Sequence, residues 1–246
     1  MPKILAIAGS KGGVGKTSTA LNLGFSLTKL GKDVTVVDCN LHTPNIGIHL
    51  GAPQVPIHLN HVLQDKNHIS EAVYKHKNGT KIIPASLKFK DAETNLDNLR
   101  FHLNQLESDI IILDSAAGLH GNALNVIKAS DEVFIVVNPE LPAVSDALKT
   151  VSLAKSYGKK IAGIIVTRTG NKEDLTKSNV ESILGCKVIM NIPEDENFRK
   201  ALRKREPIVM THPESEASLA YQKLASDLIG VKFSRSKGFL RRLFGF

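Results

Sequence analysis

The sequence has little cysteine and no long hydrophobic run. Its two cysteines, Cys39 and Cys186, lie far apart and have no Cys or His neighbours at metal-ligand spacing, so neither a disulfide framework nor a zinc site is indicated. No apolar stretch approaches the roughly 18–20 residues that span a bilayer, and the N-terminus lacks a charged and then apolar leader. These absences weigh against a secreted or membrane-spanning protein, and we expect one that is made and kept in the cytosol.

The length and charge of the chain set two further expectations. With 246 residues, 42% of them hydrophobic, the chain can bury one large core, which favours a single α/β domain. The net charge is +8, and residues 196–246 carry 11 Lys and Arg against 5 Asp and Glu. A basic C-terminal region indicates an anionic partner, either acidic lipid or nucleic acid.

Short apolar runs alternate with longer helical patterns along the chain. This alternation predicts parallel βαβ units, in which a mostly parallel twisted sheet has helices on both faces. Ligands of such sheets bind beyond the carboxyl ends of the strands. The predicted strands are Ile4–Ala8, Val34–Asp38, Lys81–Pro84, Asp109–Asp114, Glu132–Asn138, Ile161–Thr167 and Lys187–Ile192. The predicted helices are Thr17–Leu30, Asn95–Leu106, Asn122–Ala129, Ala143–Tyr157, Leu175–Leu184, Asp195–Arg205 and Glu214–Ile229.

A glycine-rich segment joins the first predicted strand to the first predicted helix. Its sequence, Lys11-Gly-Gly-Val-Gly-Lys-Thr17, matches the phosphate-loop pattern G-x-x-x-x-G-K-[ST], except that Ser10 stands at the first glycine position. Glycines allow successive backbone N–H groups to face a polyphosphate, Lys16 reaches the β- and γ-phosphates, and the Thr17 hydroxyl ligates Mg²⁺. The residues predicted to bind a nucleotide here are Gly12, Gly13, Val14, Gly15, Lys16, Thr17 and Ser18.

An aspartate closes the central predicted strand. Asp114 follows the apolar run Ile110–Leu113, which places its carboxylate beside the phosphate loop, where it can hold Mg²⁺ directly or through water. Capping of the next turn is the alternative role for an aspartate after a strand. A complete phosphate loop elsewhere in the chain favours the metal role.

The lysine ahead of the glycines adds a family resemblance. With Lys11 in front, the segment resembles the deviant Walker A motif of the MinD/ParA family of P-loop ATPases. The resemblance implies hydrolysis of ATP to ADP with Mg²⁺, in which Lys11 and Lys16 take part. It also implies an ATP-bound homodimer in which Lys11 of each subunit contacts the phosphates of the other. Asp114-Ser-Ala-Ala-Gly118 resembles a second motif of that family, with Ala116 in place of its proline.

The resemblance also assigns roles to two residues at the end of the second predicted strand. Asp38 is similar to the first acidic residue of the family's switch I, which contributes to Mg²⁺ and water organisation. Asn40 stands where close relatives carry an aspartate that positions the attacking water. An amide orients water but accepts no proton, which implies slow hydrolysis or a strong need for an activator. The alternative is that hydrolysis depends on positioning and charge neutralisation, so that Asn40 costs little.

By the same resemblance, the adenine base lies beyond three later strands. Asn-Pro and Pro-Glu-Asp sequences are also common in turns, so a purely structural role is the alternative for these residues. The residues that the resemblance assigns to the adenine pocket are Asn138, Thr167, Arg168, Ile192, Pro193 and Glu194.

The C-terminal segment has the pattern of a basic amphipathic helix. At about 100° per residue, Lys237–Phe246 gathers five apolar side chains on one side and sets Arg241 and Arg242 on the other. The stretch up to Phe244 closely resembles the membrane-targeting sequence of the MinD branch of the family. We therefore expect an ATPase domain at 1–230, a linker at 231–236 and a helix at 237–246 that binds an anionic membrane surface. A terminal helix docked on its own domain is the alternative.

Taken over the whole chain, the resemblance implies a MinD-type ATPase that dimerises on ATP, docks on the inner face of the cell membrane and leaves it after hydrolysis. Such a protein positions a division site or another polar assembly, with an activator or cargo protein that the sequence does not identify. A nucleotide-controlled adaptor with little hydrolysis is one alternative, which Asn40 leaves open. The other is a ParA-like ATPase that binds non-specific DNA through Arg199, Lys200, Arg203, Lys204 and Arg205.

Overall fold

The computed structural model describes residues 1–88, 91, 93–119 and 121–234, and within them eight strands form one sheet. The strands are β1 (Lys3–Ala8), β2 (Val34–Asp38), β3 (Tyr74–Lys75), β4 (Lys81–Ile83), β5 (Ile110–Asp114), β6 (Glu132–Val137), β7 (Lys160–Thr169) and β8 (Val188–Pro193). Their order in space is β3-β4-β2-β5-β1-β6-β7-β8. The short β3 is antiparallel to β4, and the other neighbouring strands run parallel.

Ten α-helices and one 3₁₀ helix, at Ile69–Ala72, connect these strands in the described residues. The first five α-helices are α1 (Lys16–Lys29), α2 (Ile46–His49), α3 (Leu59–Leu63), α4 (Leu99–Leu103) and α5 (Asn122–Ala129). The others are α6 (Leu141–Ser156), α7 (Lys177–Leu184), α8 (Asn197–Arg203), α9 (Ile208–Thr211) and α10 (Glu216–Leu228).

The hydrophobic core has two layers, one on each face of the sheet. Side chains of α3 to α7 pack on one face, and side chains of α1, α8, α9 and α10 pack on the other. The central strands are apolar without alternation because both of their faces are covered; every residue of β5 is buried. The prediction of a single α/β domain with helices on both faces is therefore confirmed.

All seven predicted strands are present, with bounds that agree to within two residues. The helix predicted at Asn95–Leu106 is shorter, because α4 covers only Leu99–Leu103. The side chain of Asn95 accepts a hydrogen bond from the backbone N–H of Asp97, and such local side-chain bonds compete with helix formation. Five further elements are too short to carry a periodic pattern and were not predicted: β3, α2, α3, α9 and the 3₁₀ helix at Ile69–Ala72.

No helix in the described part of the chain is long and apolar enough to cross a membrane. The predicted linker at 231–236 is described as far as Ser234, where it has no regular secondary structure. The amphipathic helix predicted at Lys237–Phe246 lies outside the described residues. The division of the chain at 230 and 236 therefore stays a prediction.

Candidate functional site

The phosphate loop connects β1 to α1 at the carboxyl edge of the sheet. Gly15 lies directly before α1 with φ of 93°, and Gly13 has φ of 77°, a region that side-chain-bearing residues rarely adopt. Gly9 is needed for a different reason, since a Cβ there would lie 2.6 Å from the carbonyl oxygen of Val136. Gly9 thus lets the loop approach β6 closely. The loop ends at the N-terminus of α1, where free backbone N–H groups favour the binding of an anion.

A cavity of about 350 Å³ opens over this loop. Residues that follow four different strands meet there, as expected for ligand sites at the carboxyl edge of a parallel sheet. The lining residues are Gly12, Gly13, Gly15, Lys16, Thr17, Ser18, Asn40, Thr43, Asn45, His49, Ser115, Ala117 and Arg168. We call this space the phosphate cavity.

Lys16 is the buried cation of the phosphate cavity. Only 8% of the residue is exposed, and its Nζ donates a hydrogen bond to the carbonyl oxygen of Lys11 at 3.1 Å. Burial lowers the pKa of Lys16, and the negative charge of Asp114 offsets part of that effect. A buried ammonium with one weak partner gains strongly from an anion that enters the cavity.

Asp38 and Asp114 lie side by side below the phosphate cavity, because they are paired positions at the ends of β2 and β5. Both are fully buried. Burial raises the pKa of Asp38 to about 6, although three backbone N–H groups that donate to it act in the opposite direction. Burial and the nearby Asp38 raise the pKa of Asp114 to about 8, and Thr17 and Lys16 only moderate the rise.

Neither oxygen of Asp114 has a hydrogen-bond partner at normal distance and angle in the described part of the chain, although the Thr17 hydroxyl is close enough to lower its pKa. A buried carboxylate without donors is costly unless a cation or a proton satisfies it. Two adjacent carboxylates and a threonine hydroxyl are the oxygen ligands that Mg²⁺ prefers. The residues predicted as metal ligands, Thr17, Asp38 and Asp114, therefore fit a divalent cation.

Two neighbours of the carboxylate pair do not fit a role as ligand or base. Cys39 is buried, and desolvation together with the charges of Asp38 and Asp114 raises the pKa of its thiol, which stays protonated. Asn40 lines the phosphate cavity, but its side-chain amide is hydrogen-bonded to Thr43.

Lys11 has a half-exposed side chain outside the phosphate cavity. Its Nζ lies 3.8 Å from Oε2 of Glu140, and both side chains are at least 50% exposed. A contact of this kind between exposed groups contributes little to stability. The lysine is therefore free to leave Glu140 when another anion is offered.

A second cavity, of about 430 Å³, lies beside the phosphate loop. Its lining includes five of the six residues that were predicted to bind adenine, namely Thr167, Arg168, Ile192, Pro193 and Glu194. The sixth, Asn138, does not line it. Asn138 is 8% exposed, and its Oδ1 accepts a hydrogen bond from the hydroxyl of Thr167 at 3.0 Å, so it supports the wall of the cavity from behind.

Arg168 joins the two cavities, since its side chain lines both of them. Its backbone has φ of 57°, which is unusual for a residue other than glycine and marks a constrained position. Its Nε lies 3.8 Å from a carboxylate oxygen of Glu194. The guanidinium is thus placed between the second cavity and the phosphate cavity.

Several site residues were not predicted from the sequence. Thr43, His49 and Ser115 line the phosphate cavity, while Phe198 and Tyr221 line the second cavity. Phe198 was missed because it lies within a basic helical stretch. Tyr221 was missed because its sequence pattern is that of a core position of α10. The spacing of Asn40 and Thr43 was a usable signal, since Asn side chains often bond to the backbone of nearby loop residues.

Known proteins share this fold and this loop. Residues 2–164 match the model of a family described as an AAA domain. An ATP-binding protein from Methanocaldococcus jannaschii is 37% identical over 93% of this chain and 88% of its own length. The septum site-determining protein MinD of Synechocystis is 30% identical over 94% of this chain and 90% of its own length.

A solved structure gives the same result for the architecture. MinD from Pyrococcus horikoshii, in complex with Mg-ADP, superposes with a TM-score of 0.88 at 28% identity, covering 93% of this chain and 96% of that one. Three observations indicate one family. They are the phosphate loop with its leading lysine, the paired aspartates at the ends of β2 and β5, and these similarities over nearly the whole length. The chain belongs to the MinD/ParA family of P-loop ATPases.

Proposed function

We propose that this member of the family is an ATPase of the MinD type, which dimerises on ATP and binds the inner face of the cell membrane through Lys237–Phe246. Hydrolysis then returns it to a monomer in the cytoplasm. The observation that carries the proposal is the basic amphipathic pattern of that segment, which follows a complete family ATPase core. The work it would perform is spatial positioning, as the names of the septum site-determining relatives suggest.

The chemistry of the site follows from its own residues. The protein hydrolyses ATP with Mg²⁺; the metal, held by Thr17, Asp38 and Asp114, would neutralise charge on the phosphates. Lys16 and the amides of the phosphate loop bind the β- and γ-phosphates and fix their orientation. The cavity that contains Thr167, Ile192 and Pro193 receives the base.

Membrane binding by one tail is expected to be weak. Each buried Leu or Phe contributes about 1.5–3 kcal/mol and each cation near an anionic surface about 1 kcal/mol, but ordering a helix of about ten residues offsets much of that gain. Two tails on one dimer bind as a bivalent unit, which strengthens attachment by about 10²–10⁴-fold. Dimerisation on ATP therefore suffices to switch the attachment on.

The test is cosedimentation with vesicles of anionic phosphatidylglycerol and of neutral phosphatidylcholine, in ATP and in ADP. We expect recovery with the anionic vesicles in ATP only. Truncation after Ser236 abolishes it, and Phe239→Glu weakens it strongly because a charge enters the apolar face. Ser236→Glu adds the same charge outside that face and serves as the matched control. Equal recovery of truncated and full-length protein, or equal recovery in ADP, contradicts the proposal.

A second candidate matrix is non-specific DNA, favoured by the exposed basic residues of α8. Arg203 and the following Lys204 are exposed, while Lys200 pairs with Glu196, the residue directly before the helix. DNA binding through them would weaken steeply with salt, since it depends on counterion release. Binding that survives removal of residues 237–246 and is lost in the double variant Arg203→Ala, Lys204→Ala would select DNA over the membrane.

A further inference from the structure

The carboxamide of Asn40 has no free hydrogen-bonding position, because Thr43 occupies all of them. Nδ2 donates to the carbonyl oxygen of Thr43 at 2.7 Å and to its Oγ1 at 3.0 Å. Oδ1 accepts from the Thr43 hydroxyl at 3.2 Å and from the Thr43 backbone N–H at 3.4 Å. An Asn side chain has two donor hydrogens and two acceptor lone pairs, so these four contacts saturate it.

The same loop holds the carboxylate of Asp38. The carbonyl oxygen of Thr43 accepts a second hydrogen bond, from Nδ2 of Asn45 at 2.9 Å. The backbone N–H groups of Asn45 and Ile46 both donate to Oδ2 of Asp38 at 3.0 Å, and the N–H of Asn40 donates to Oδ1 at 3.2 Å. Residues 40–46 are therefore closed into a loop whose amides set the direction of one carboxylate.

We propose that Asn40 and Thr43 form a clasp that positions Asp38 for Mg²⁺, and that Asn40 does not orient the attacking water in this protein. Thr43 is then a positioning residue. Orienting water requires a free donor or acceptor on Asn40, which it gains only by breaking contacts to Thr43. With Oδ2 of Asp38 committed to two amides, Oδ1 is the oxygen that remains for a metal.

The clasp needs an amide at position 40. A carboxylate has no hydrogen to donate, so an aspartate in this conformation would place an anionic oxygen 2.7 Å from the carbonyl oxygen of Thr43. The inference rests on the assignment of the phosphate cavity to a Mg²⁺-nucleotide, and it does not depend on dimerisation or on membrane binding.

The test uses the full chain and a fluorescent, ribose-labelled ADP, so that no hydrolysis occurs. Affinity is measured in EDTA and across a Mg²⁺ titration for Thr43→Val, Thr43→Ser, Asn40→Ala and the double variant Asn40→Ala, Thr43→Val. These substitutions leave the charge of the site unchanged, unlike Asn40→Asp. The control is Thr176→Val, which removes a hydroxyl from a similar Thr–Asn contact, with Asn179 of α7; neither residue lines the phosphate cavity.

We expect Thr43→Val to raise the Mg²⁺ concentration at half-saturation by about three- to thirty-fold, since it removes two of the four contacts. Affinity in EDTA stays at the wild-type value, and Thr43→Ser restores Mg²⁺ binding because it keeps the hydroxyl. Asn40→Ala weakens Mg²⁺ binding at least as much, and the double variant is no weaker than Asn40→Ala, since both residues act as one unit. Thr176→Val leaves both affinities unchanged.

Two results overturn the clasp. One is an unchanged Mg²⁺ midpoint in both Thr43→Val and Asn40→Ala. The other is an Asn40→Ala protein that binds Mg²⁺-ADP normally but hydrolyses ATP more slowly, which assigns Asn40 to the water. Failure of the underlying assignment looks different, because the wild-type protein itself then shows no Mg²⁺-dependent nucleotide binding.

Discussion

At the scale of single residues, the site is a set of buried charges with too few partners. The Nζ of Lys16 donates to one carbonyl oxygen, and the oxygens of Asp114 have no hydrogen bond of normal geometry in the described residues. Unpaired buried charge is costly. The phosphates of a nucleotide would supply the partner that Lys16 lacks, and the cation would supply the partner that Asp114 lacks. The residues that bind the ligand are therefore also residues whose burial destabilises the ligand-free protein.

Asp114 makes the stability of the ligand-free protein depend on pH. Its pKa is raised from 3.8 to about 8, so the folded state holds a proton that the unfolded state has lost. This contribution to stability is complete below about pH 4 and is lost as pH rises through about 8. In EDTA and without nucleotide, we expect the unfolding temperature to fall as pH rises from about 4 to about 8 and to level off above that.

The control for this prediction is Asp114→Asn, which cannot titrate. Its unfolding temperature changes less than that of the wild type over the same pH range, measured by differential scanning calorimetry. Saturating Mg²⁺-ADP should also flatten the wild-type profile, because the cation takes the place of the proton. A wild-type profile parallel to that of Asp114→Asn would show that Asp114 is ionised in the free protein.

At the scale of elements, the contact of α1 with the sheet fixes the phosphate loop in place. Gly24 lies in the middle of α1, where glycine normally weakens a helix relative to alanine by about 0.5–1 kcal/mol. A Cβ at this position would lie 2.5 Å from Cγ2 of Val36 on β2. Packing against β2 therefore requires glycine at this position, although glycine has a lower helix propensity than alanine.

We predict that Gly24→Ala destabilises the protein by about 1–2 kcal/mol, since overpacking outweighs the gain in helix propensity. Urea denaturation measures the change. Val36→Ala opens a cavity and is destabilising alone, but the double variant should lose less stability than the two single variants together, because each relieves the other. A more stable Gly24→Ala protein would mean that α1 can shift away from β2 without loss.

At the scale of the whole molecule, the nucleotide site and the end of α10 lie at opposite edges of the sheet. The phosphate loop follows the carboxyl end of β1, whereas Leu228, at the end of α10, shares a cavity of about 430 Å³ with Lys3 and Lys160 at the starts of β1 and β7. The residues at the end of α10 are therefore not among those that line the phosphate cavity. Control through a dimer, in which two tails act together, does not need contact between those residues and the nucleotide.

Lys11→Ala tests this whole-molecule arrangement. We expect nucleotide affinity within about threefold of wild type, because Lys11 pairs only with the exposed Glu140 in the described part of the chain. The ATP-dependent dimer should be lost, as measured by multi-angle light scattering, and recovery on anionic vesicles should fall to the ADP level. Lys172→Ala, at another exposed lysine, serves as the control. An unchanged ATP-dependent dimer would make Lys11 an ordinary loop residue.

The local elements were readable from the sequence because their causes are local. Glycine spacing before Lys16 specified a phosphate loop, and continuous apolar runs such as Ile110–Leu113 specified strands covered on both faces. The helix at 95–106 was overestimated because its polar side chains bond to nearby backbone instead. Patterns of this kind depend on neighbours within a few residues, which is the range that a sequence pattern reports.

Only the tertiary structure decided which side chains meet and which of their hydrogen-bonding groups remain free. The sheet order brings β2 next to β5, which buries Asp38 beside Asp114; burial raises the pKa of both, and the neighbouring Asp38 raises that of Asp114 further. It also placed Asn138 behind Thr167 instead of in the cavity. Asn40 and Thr43 are near in sequence, yet their mutual saturation depends on a loop conformation anchored to the buried Asp38. Burial and partner choice are properties of the packed chain, because they depend on contacts between residues that are distant in sequence.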